Sequence, residues 1–211
     1  MSSEVKQKEK VDMDPKYIVE LTVKLFVTCL VVAGLLGGVN AITKDRIAAI
    51  NWENTVVAMQ AVAADPENTT YNETPLGNTQ AMTDAASAAG GTLGAIYEAQ
   101  VNGESAGYAV TVSASGSQGT IEMMVGVDAA GAVTGVSVIS HSETAGIGTK
   151  VIDNEPTTSG VGVLDQFKGK SAADGTLAVG TNVDAITGAT VSTRGITTGV
   201  NAALAAVGAM G

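Results

Sequence analysis

The 211-residue sequence contains one cysteine, Cys29, and one histidine, His141. A single cysteine cannot form an intramolecular disulfide, and the two side chains are too few to ligate an iron–sulfur cluster or a Cys/His zinc ion. A second histidine is also absent, which argues against a hydrolase triad. We therefore expect no metal site, and any redox activity would require a bound cofactor.

Basic residues are absent from the middle of the chain. No Lys or Arg occurs between Ile47 and Thr149, and the formal net charge is −10. An acidic surface of this kind repels phosphate backbones, so the composition argues against nucleic-acid binding. Aromatic residues make up only 3% of the sequence. A core must therefore be built from Val, Ile, Leu, Met and Ala.

Charged residues are absent from Leu25 to Ile42, a run of eighteen. As a helix this run is ~27 Å long, close to the ~30 Å hydrocarbon thickness of a bilayer, and it predicts a transmembrane helix over residues 25–43. Lysines are concentrated before the run, at positions 6, 8, 10, 16 and 24. The positive-inside rule then places residues 1–24 in the cytoplasm and the chain after residue 43 outside it.

The alternative interpretation of this run is a cleaved signal peptide, with Val39-Asn40-Ala41 as a small-residue cleavage site. The long charged leader and the length of the apolar run favour a permanent anchor. We therefore expect a single-pass protein of the plasma membrane, with its main domain on the extracytoplasmic side.

The segment 44–91 follows the anchor. Its helical spacing up to residue 64 predicts an outward continuation of the membrane helix. The polar, small-residue-rich part, residues 65–91, predicts a loop with one short helix. Four segments with partial alternation then predict antiparallel strands over residues 92–101, 106–114, 120–128 and 132–140.

The last third of the chain contains weaker patterns. They predict a short helix over Val163–Lys170, a possible strand over Leu177–Val179 and a final helix near Thr193–Val207. This order of elements predicts an α+β fold, in which a single N-terminal transmembrane helix precedes an exported domain with an antiparallel sheet and flanking helices. We assign that domain to residues 92–211.

Two loops carry glycines at spacings that bear on ligand binding. SHSETAGIGTKV, residues 140–151, contains Gly146 and Gly148, and SASGSQGTIE, residues 113–122, leads into a strand. Glycines at these positions serve either a close approach of backbone to a ligand or a turn with positive φ. The 113–122 segment is too short and too far from a helix start to be a Walker loop or a Rossmann fingerprint.

A cluster of hydroxyl side chains precedes the final helix and consists of Thr187, Thr190, Ser192 and Thr193. One interpretation is that Thr190 caps the helix. The other is that its hydroxyl carries a phosphoryl group at the helix N-terminus, where the dipole attracts an anion and Arg194 follows one turn later. The pattern by itself leaves both open.

Residues Asp184–Ser192, DAITGATVS, resemble the D-x-x-(S/T)-G-A-T-x-(S/T) flavinylation motif of the FMN-binding family. HSETAGIG, residues 141–148, resembles the H-x-E-T-P-G-L-G segment of that family, with Ala145 in place of proline. The strand pair at residues 119–141 extends the resemblance, which covers the anchor and roughly residues 92–208.

The resemblance implies a covalently bound FMN. Members of the family attach FMN through a phosphoester to the threonine that corresponds to Thr190, and a flavin transferase supplies it from FAD with release of AMP. Asp184 would belong to the recognition sequence. The other motif residues at the cofactor would be Thr187, Gly188, Ala189 and Ser192. The flavin ring would lie on the glycine loop of residues 140–151, at Glu143, Thr144, Gly146, Gly148 and Lys150.

The resemblance also implies a role in electron transfer. Membrane-anchored members of the family belong to Rnf-type ferredoxin:NAD oxidoreductases, which move Na⁺ or H⁺, and such a member would relay electrons without catalysing the overall reaction. Its partners would be the other membrane subunits and, during maturation, the flavin transferase. Two alternatives remain open. One is the corresponding component of a Na⁺-pumping NADH:quinone oxidoreductase, and the other is a non-redox exported interaction module.

Overall fold

The computed structural model describes residues 15–210. Lysines 6, 8 and 10, which contribute to the predicted orientation, lie outside the described residues, as does most of the predicted cytoplasmic segment. The chain divides into two units, with the boundary between Asn51 and Trp52. The first unit is helical throughout its described part, and the second contains the sheet.

Helix α1 (Pro15–Val62) contains the predicted span. It is the only helix among residues 15–210 that is long and apolar enough to cross a membrane, and its most apolar eighteen-residue window has a mean hydropathy of 2.2. The predicted helical continuation beyond residue 44 is confirmed. Near the start of α1, Lys24 Nζ lies 2.5 Å from Glu20 Oε1, one helical turn away.

Five antiparallel strands form one sheet in the second unit. They are β1 (Thr69–Tyr71), β2 (Thr92–Val101), β3 (Glu104–Ser115), β4 (Thr120–Asp128) and β5 (Val133–Ser140). The order across the sheet follows the order along the chain, so each strand pairs with its sequence neighbours. Each of the four predicted strands agrees with β2 to β5 to within two residues at each end.

Five further elements pack around the sheet or connect to it. They are α2 (Gln80–Ala88), α3 (Thr149–Ile152), α4 (Thr190–Gly208) and two 3₁₀ turns at Asp165–Phe167 and Ala172–Asp174. Helix α2 is the short helix predicted within residues 65–91. Strand β1 was not predicted. The structure includes both β1 and α2 in the second unit, whereas we predicted from the sequence that residues 44–91 precede the domain.

Both faces of the sheet are covered, which explains why its strands alternate only partially. Met123 of β4 lies in the main core under α4, and its neighbour Met124 lies on the opposite face in a smaller core. That smaller core includes Met59 and Val62 from the end of α1. Because successive residues of a strand point to opposite faces, a strand covered on both sides is apolar at consecutive positions.

Two glycines let the end of α1 approach the sheet. Gly126 and Gly135 are paired between β4 and β5. A Cβ atom on Gly126 would lie 3.0 Å from Val62 Cβ, and one on Gly135 would lie 3.1 Å from Val62 Cα. The Thr134 hydroxyl donates to Val62 O at 2.5 Å, which satisfies a carbonyl that the ending helix leaves free.

Two predictions in the last third of the chain are wrong in detail. The helix predicted over Val163–Lys170 is a single 3₁₀ turn, Asp165–Phe167, which ends before Gly169. The strand considered over Leu177–Val179 does not form. The Asn201 side chain instead pairs with Leu177, accepting from its N–H at 3.0 Å and donating to its carbonyl at 2.8 Å. The side-chain amide of Asn201 therefore pairs with the backbone groups of Leu177 that a neighbouring strand would otherwise bind.

Candidate functional site

The four clustered hydroxyls have different environments at the start of α4. Helix α4 begins at Thr190, three residues earlier than predicted, and its N-cap residue is Ala189, which makes no side-chain cap hydrogen bond. The interpretation of Thr190 as the helix cap is therefore wrong. The buried Thr193 hydroxyl donates to Ala189 O at 3.0 Å, within the helix itself.

Only two of these hydroxyls are bound within the protein. The Ser192 hydroxyl is buried and donates to Glu143 Oε2. Thr187 and Thr190 are exposed, and neither hydroxyl makes a hydrogen bond to any part of the chain from residue 15 to 210. Of the cluster, Thr187 and Thr190 are therefore available to an outside reagent.

The motif Asp184–Ser192 is anchored by apolar residues that point inward. Val183, Ile186 and Ala189 are buried in the main core. Asp184, Thr187, Gly188 and Thr190, which lie between or directly after them, are exposed. This pattern leaves the polar side chains of Asp184, Thr187 and Thr190 at the surface, while the buried residues hold the backbone against the core.

Glu143 joins three segments of the site. Glu143 is 8% exposed, and its carboxylate accepts hydrogen bonds from the backbone N–H groups of Ser117 at 2.8 Å and Gln118 at 3.3 Å, and from the Ser192 hydroxyl. Burial by itself raises the pKa of this carboxyl, but the hydroxyl, the two amides and the nearby His141 together lower the pKa below its usual value. The His141 ring accepts from Glu143 N at 3.2 Å.

The two glycines of the 140–151 loop have different roles. Gly146 has a φ of +74°, and a Cβ atom added there would meet nothing within 4 Å, so the backbone conformation favours glycine. Gly148 has an ordinary φ of −68°, but a Cβ atom would lie 2.8 Å from Glu143 Cβ and 3.1 Å from Ser192 Oγ. Gly148 therefore allows Glu143 to reach α4.

A cleft with a volume of about 130 Å³ lies beside Thr190. Its lining consists of Ser117, Glu143, Thr144, Ile147, Gly148, Gly188, Ala189, Thr190, Val191 and Ser192. The structure thus brings together seven of the residues singled out from the sequence. Sequence reasoning missed Ser117, Ile147 and Val191, although the glycine-bearing turn before β4 was a signal for the first.

Four of the singled-out residues do not line the cleft: Asp184, Thr187, Gly146 and Lys150. Lys150 Nζ instead lies 3.8 Å from Glu155 Oε2. Thr187 and Asp184 are exposed on the motif itself, and Gly146 is exposed on the glycine loop. These positions belong to the surface around the cleft.

Positive charge is scarce around the site. The unit from residue 52 onward has fifteen Asp and Glu residues against four Lys and Arg. Arg194 is exposed, lies four residues after Thr190 and so shares its helix face, and makes no ion pair within residues 15–210. The first N–H groups of α4 have no acceptor within the helix and no side-chain cap. The site can therefore bind an anion at this point.

Known proteins match most of the chain. The profile of the FMN-binding domain family matches residues 116–205. The G subunit of the Na⁺-translocating ferredoxin:NAD⁺ oxidoreductase complex of Acetobacterium woodii is 34% identical over 203 residues, which cover 92% of this chain and 93% of the relative. The chain belongs to the RnfG family. Its FMN-binding region extends from the turn before β4 into α4, so every residue of the cleft lies inside it.

Other members of the RnfG family match over similar lengths. The G subunit of the ion-translocating oxidoreductase complex of Aliivibrio fischeri is 34% identical and covers 78% of each chain. Its counterpart in Methanosarcina acetivorans is 29% identical and covers 90% of this chain and 95% of its own. The resemblance found in the sequence is confirmed. Membership of the RnfG family and the apolar helix α1 together indicate a membrane protein.

Proposed function

We propose that this protein is the FMN-carrying electron-transfer subunit of an Rnf-type ferredoxin:NAD oxidoreductase that translocates Na⁺ or H⁺. The names of its relatives in Acetobacterium woodii and Aliivibrio fischeri support this assignment, as does the FMN-binding region. The observation that carries the proposal is the exposed Thr190 hydroxyl, which has no hydrogen bond among residues 15–210 and lies in the motif at the start of α4.

We propose that Thr190 holds FMN through a phosphoester. The Thr190 Oγ would attack the phosphorus on the FMN side of FAD, and the bond from that phosphorus to the bridging oxygen would break. AMP would leave with the bridging oxygen, and the hydroxyl proton would pass to the transferase or to water. Thr190 suits this role because its hydroxyl is exposed and needs to break no internal hydrogen bond. Ser192 and Thr193 do not suit it, because both are buried and donate within the protein.

The product carries one negative charge in a unit that is already acidic. The uncapped N–H groups of α4 and the dipole of this nineteen-residue helix favour an anion at its first residue. Arg194, one turn further along, contributes a second attraction. The carboxylate of Glu143 lies in the same cleft, but three donors are already directed at it.

The cleft is too small to enclose the flavin ring, since cofactor pockets usually measure about 300–1,000 Å³ and this one measures about 130 Å³. We therefore place the ring at the mouth of the cleft. Ile147 and Val191 line the cleft and are 51% and 49% exposed, so they offer an apolar surface to one face of the ring. Thr144 and Gly148, which also line the cleft, would supply polar contacts to the ring. Lys150 is paired with Glu155, so it is a weaker candidate for a contact with the flavin ring than the sequence indicated.

A ring seated at a cleft mouth keeps one face open toward a neighbouring protein of the complex, which suits a relay. Bound FMN supplies the one- and two-electron redox chemistry that the polypeptide lacks. The chain holds the cofactor and sets its position, while ferredoxin oxidation and NAD reduction take place on other subunits. We further propose that the protein spans the plasma membrane once, with its N-terminus in the cytoplasm and the FMN unit outside.

The attachment is tested by comparing Thr190→Ala with Thr181→Ala. Both variants remove one exposed hydroxyl that makes no hydrogen bond among residues 15–210, and Thr181 precedes the motif. After co-expression with a flavin transferase, flavin fluorescence that survives denaturation should be present in wild type and Thr181→Ala and absent in Thr190→Ala. Covalent flavin retained by Thr190→Ala would refute the assignment. A wild-type protein without covalent flavin would favour the non-redox interaction module.

A further inference from the structure

Asp184 begins the modification motif, yet its carboxylate makes no hydrogen bond within residues 15–210. Its backbone is held by one side chain from outside the motif. Gln166 Oε1 accepts from Asp184 N at 2.7 Å, and Gln166 Nε2 donates to Asp184 O at 2.9 Å. A primary amide has one acceptor and two donors in a plane, so it can pair with both backbone groups of one residue.

Gln166 is itself held in place on its 3₁₀ turn. Its Nε2 also donates to Val163 O at 2.9 Å. The next residue, Phe167, is fully buried, and the preceding Asp165 accepts from Asn154 Nδ2 at 2.7 Å. The turn is therefore fixed on both sides of Gln166, and the amide has little freedom to leave Asp184.

The motif is thus held at both of its ends by residues distant in sequence. Gln166 holds Asp184 across 18 positions, and Glu143 holds Ser192 across 49. Between these ends the backbone turns at Gly188, which has a φ of +85°. Loss of one end would let the exposed residues of the loop move relative to α4.

We propose that Gln166 is a positioning residue for flavin attachment, which presents Asp184 and the exposed loop up to Thr190 to the flavin transferase. The inference rests on the proposed attachment at Thr190. Gln166 contacts neither the acceptor hydroxyl nor the phosphorus, so its effect is on recognition of the acceptor protein. Removing its hydrogen bonds should raise the KM for the acceptor and leave kcat nearly unchanged.

The test measures covalent incorporation of FMN into the detergent-solubilised full-length protein, with FAD and a bacterial flavin transferase, at several acceptor concentrations. Gln166→Met keeps the length and volume of the side chain and removes both hydrogen bonds to Asp184, together with the one to Val163 O. We expect its KM to rise about tenfold, the effect of losing two net hydrogen bonds. Gln100→Met is the control. Gln100 is likewise half-buried, and its amide donates to Glu98 on β2 at 3.3 Å, away from the motif.

A second variant separates hydrogen bonding from packing. In Gln166→Glu the side chain can still accept from Asp184 N, but an ionised carboxylate cannot donate to Asp184 O. Protonation restores the donor. The rate of this variant relative to wild type should therefore rise as the pH is lowered, whereas a role in packing alone predicts a ratio that does not change with pH.

The possible results are distinct. A raised KM for Gln166→Met with an unchanged control, together with acid recovery of Gln166→Glu, supports the proposal. Loading of Gln166→Met at the wild-type KM, or a pH-independent ratio for Gln166→Glu, would overturn it and leave the attachment at Thr190 intact. Wild-type protein that accepts no covalent FMN would overturn the attachment and this inference together.

Discussion

Replacing Glu143 with alanine should destabilise the second unit more than any other single change in the cleft. The variant leaves the Ser192 hydroxyl and the Ser117 N–H without their acceptor, and it also removes a weaker bond from Gln118 N at 3.3 Å. Hydrogen bonds to a charged group contribute about 1.5–3 kcal/mol each, and water in the adjacent cleft can replace part of this. We therefore expect a loss of about 3 kcal/mol.

For a unit of this size, a change of 1 kcal/mol shifts the melting temperature by about 2–4 °C, so Glu143→Ala should melt about 6–12 °C below wild type. Circular dichroism of the detergent-solubilised protein measures this. Glu155→Gln is the matched control. Its carboxylate is 48% exposed and contacts only Lys150 at 3.8 Å, so its melting temperature should stay near that of wild type. A shift below about 2 °C for Glu143→Ala would refute the reasoning.

The pH dependence provides an independent check on the same carboxylate. The folded-state pKa of Glu143 lies below its unfolded value of 4.5. Its contribution to stability is therefore fully present above pH 4.5 and is lost as the pH falls through the folded-state pKa. Glu143→Gln keeps an acceptor for the amides but has no charge. The stability difference between wild type and Glu143→Gln should be largest near neutral pH and should shrink in acid, and a difference that grows in acid would contradict the assigned shift.

Four further predictions concern the glycines and the topology. Gly148→Ala should lower both stability and FMN loading because its Cβ meets Glu143 and Ser192. Gly146→Val is strained at a φ of +74°, but its side chain meets no neighbouring atom. The variant should keep the phosphoester and alter only the spectrum and redox potential of the flavin. An unchanged spectrum would show that this loop does not contact the flavin ring. Gly126→Ala should lower the free energy of unfolding by about 1–3 kcal/mol, because the added Cβ pushes Val62 away from the sheet. Gly77→Ala is the control. It has open space around its Cβ and should have little effect on the melting temperature. A reporter fused after Met210 should be active only in its extracytoplasmic form, and cytoplasmic activity would reverse the proposed orientation.

Several features of this protein were determined by local stretches of sequence. The eighteen uncharged residues from Leu25 to Ile42 predict a membrane helix because hydrocarbon thickness fixes the length of such a run. Strands β2 to β5 were predicted because apolar spacing and turn residues act between near neighbours. The motif from Asp184 to Ser192 is likewise contiguous, and so it indicated FMN before any fold was known.

Other features depend on contacts between distant residues. Strand β1 has three residues, too few to show an alternating apolar pattern. It forms because it can pair with the edge of β2. No pattern marks Gln166, whose partner lies 18 residues away. The glycine-bearing turn before β4 marked the segment that contains Ser117, but not the pairing of Ser117 with Glu143, which lies 26 residues away. The sequence left Thr190 with two roles, cap or acceptor. The packing of α4 rules out the first, because the helix starts earlier than predicted, has Ala189 as its N-cap and leaves the Thr190 hydroxyl exposed. The hydrogen-bond partner of a residue depends on which residues folding brings next to it, whereas the periodicity of apolar residues is a property of the sequence alone.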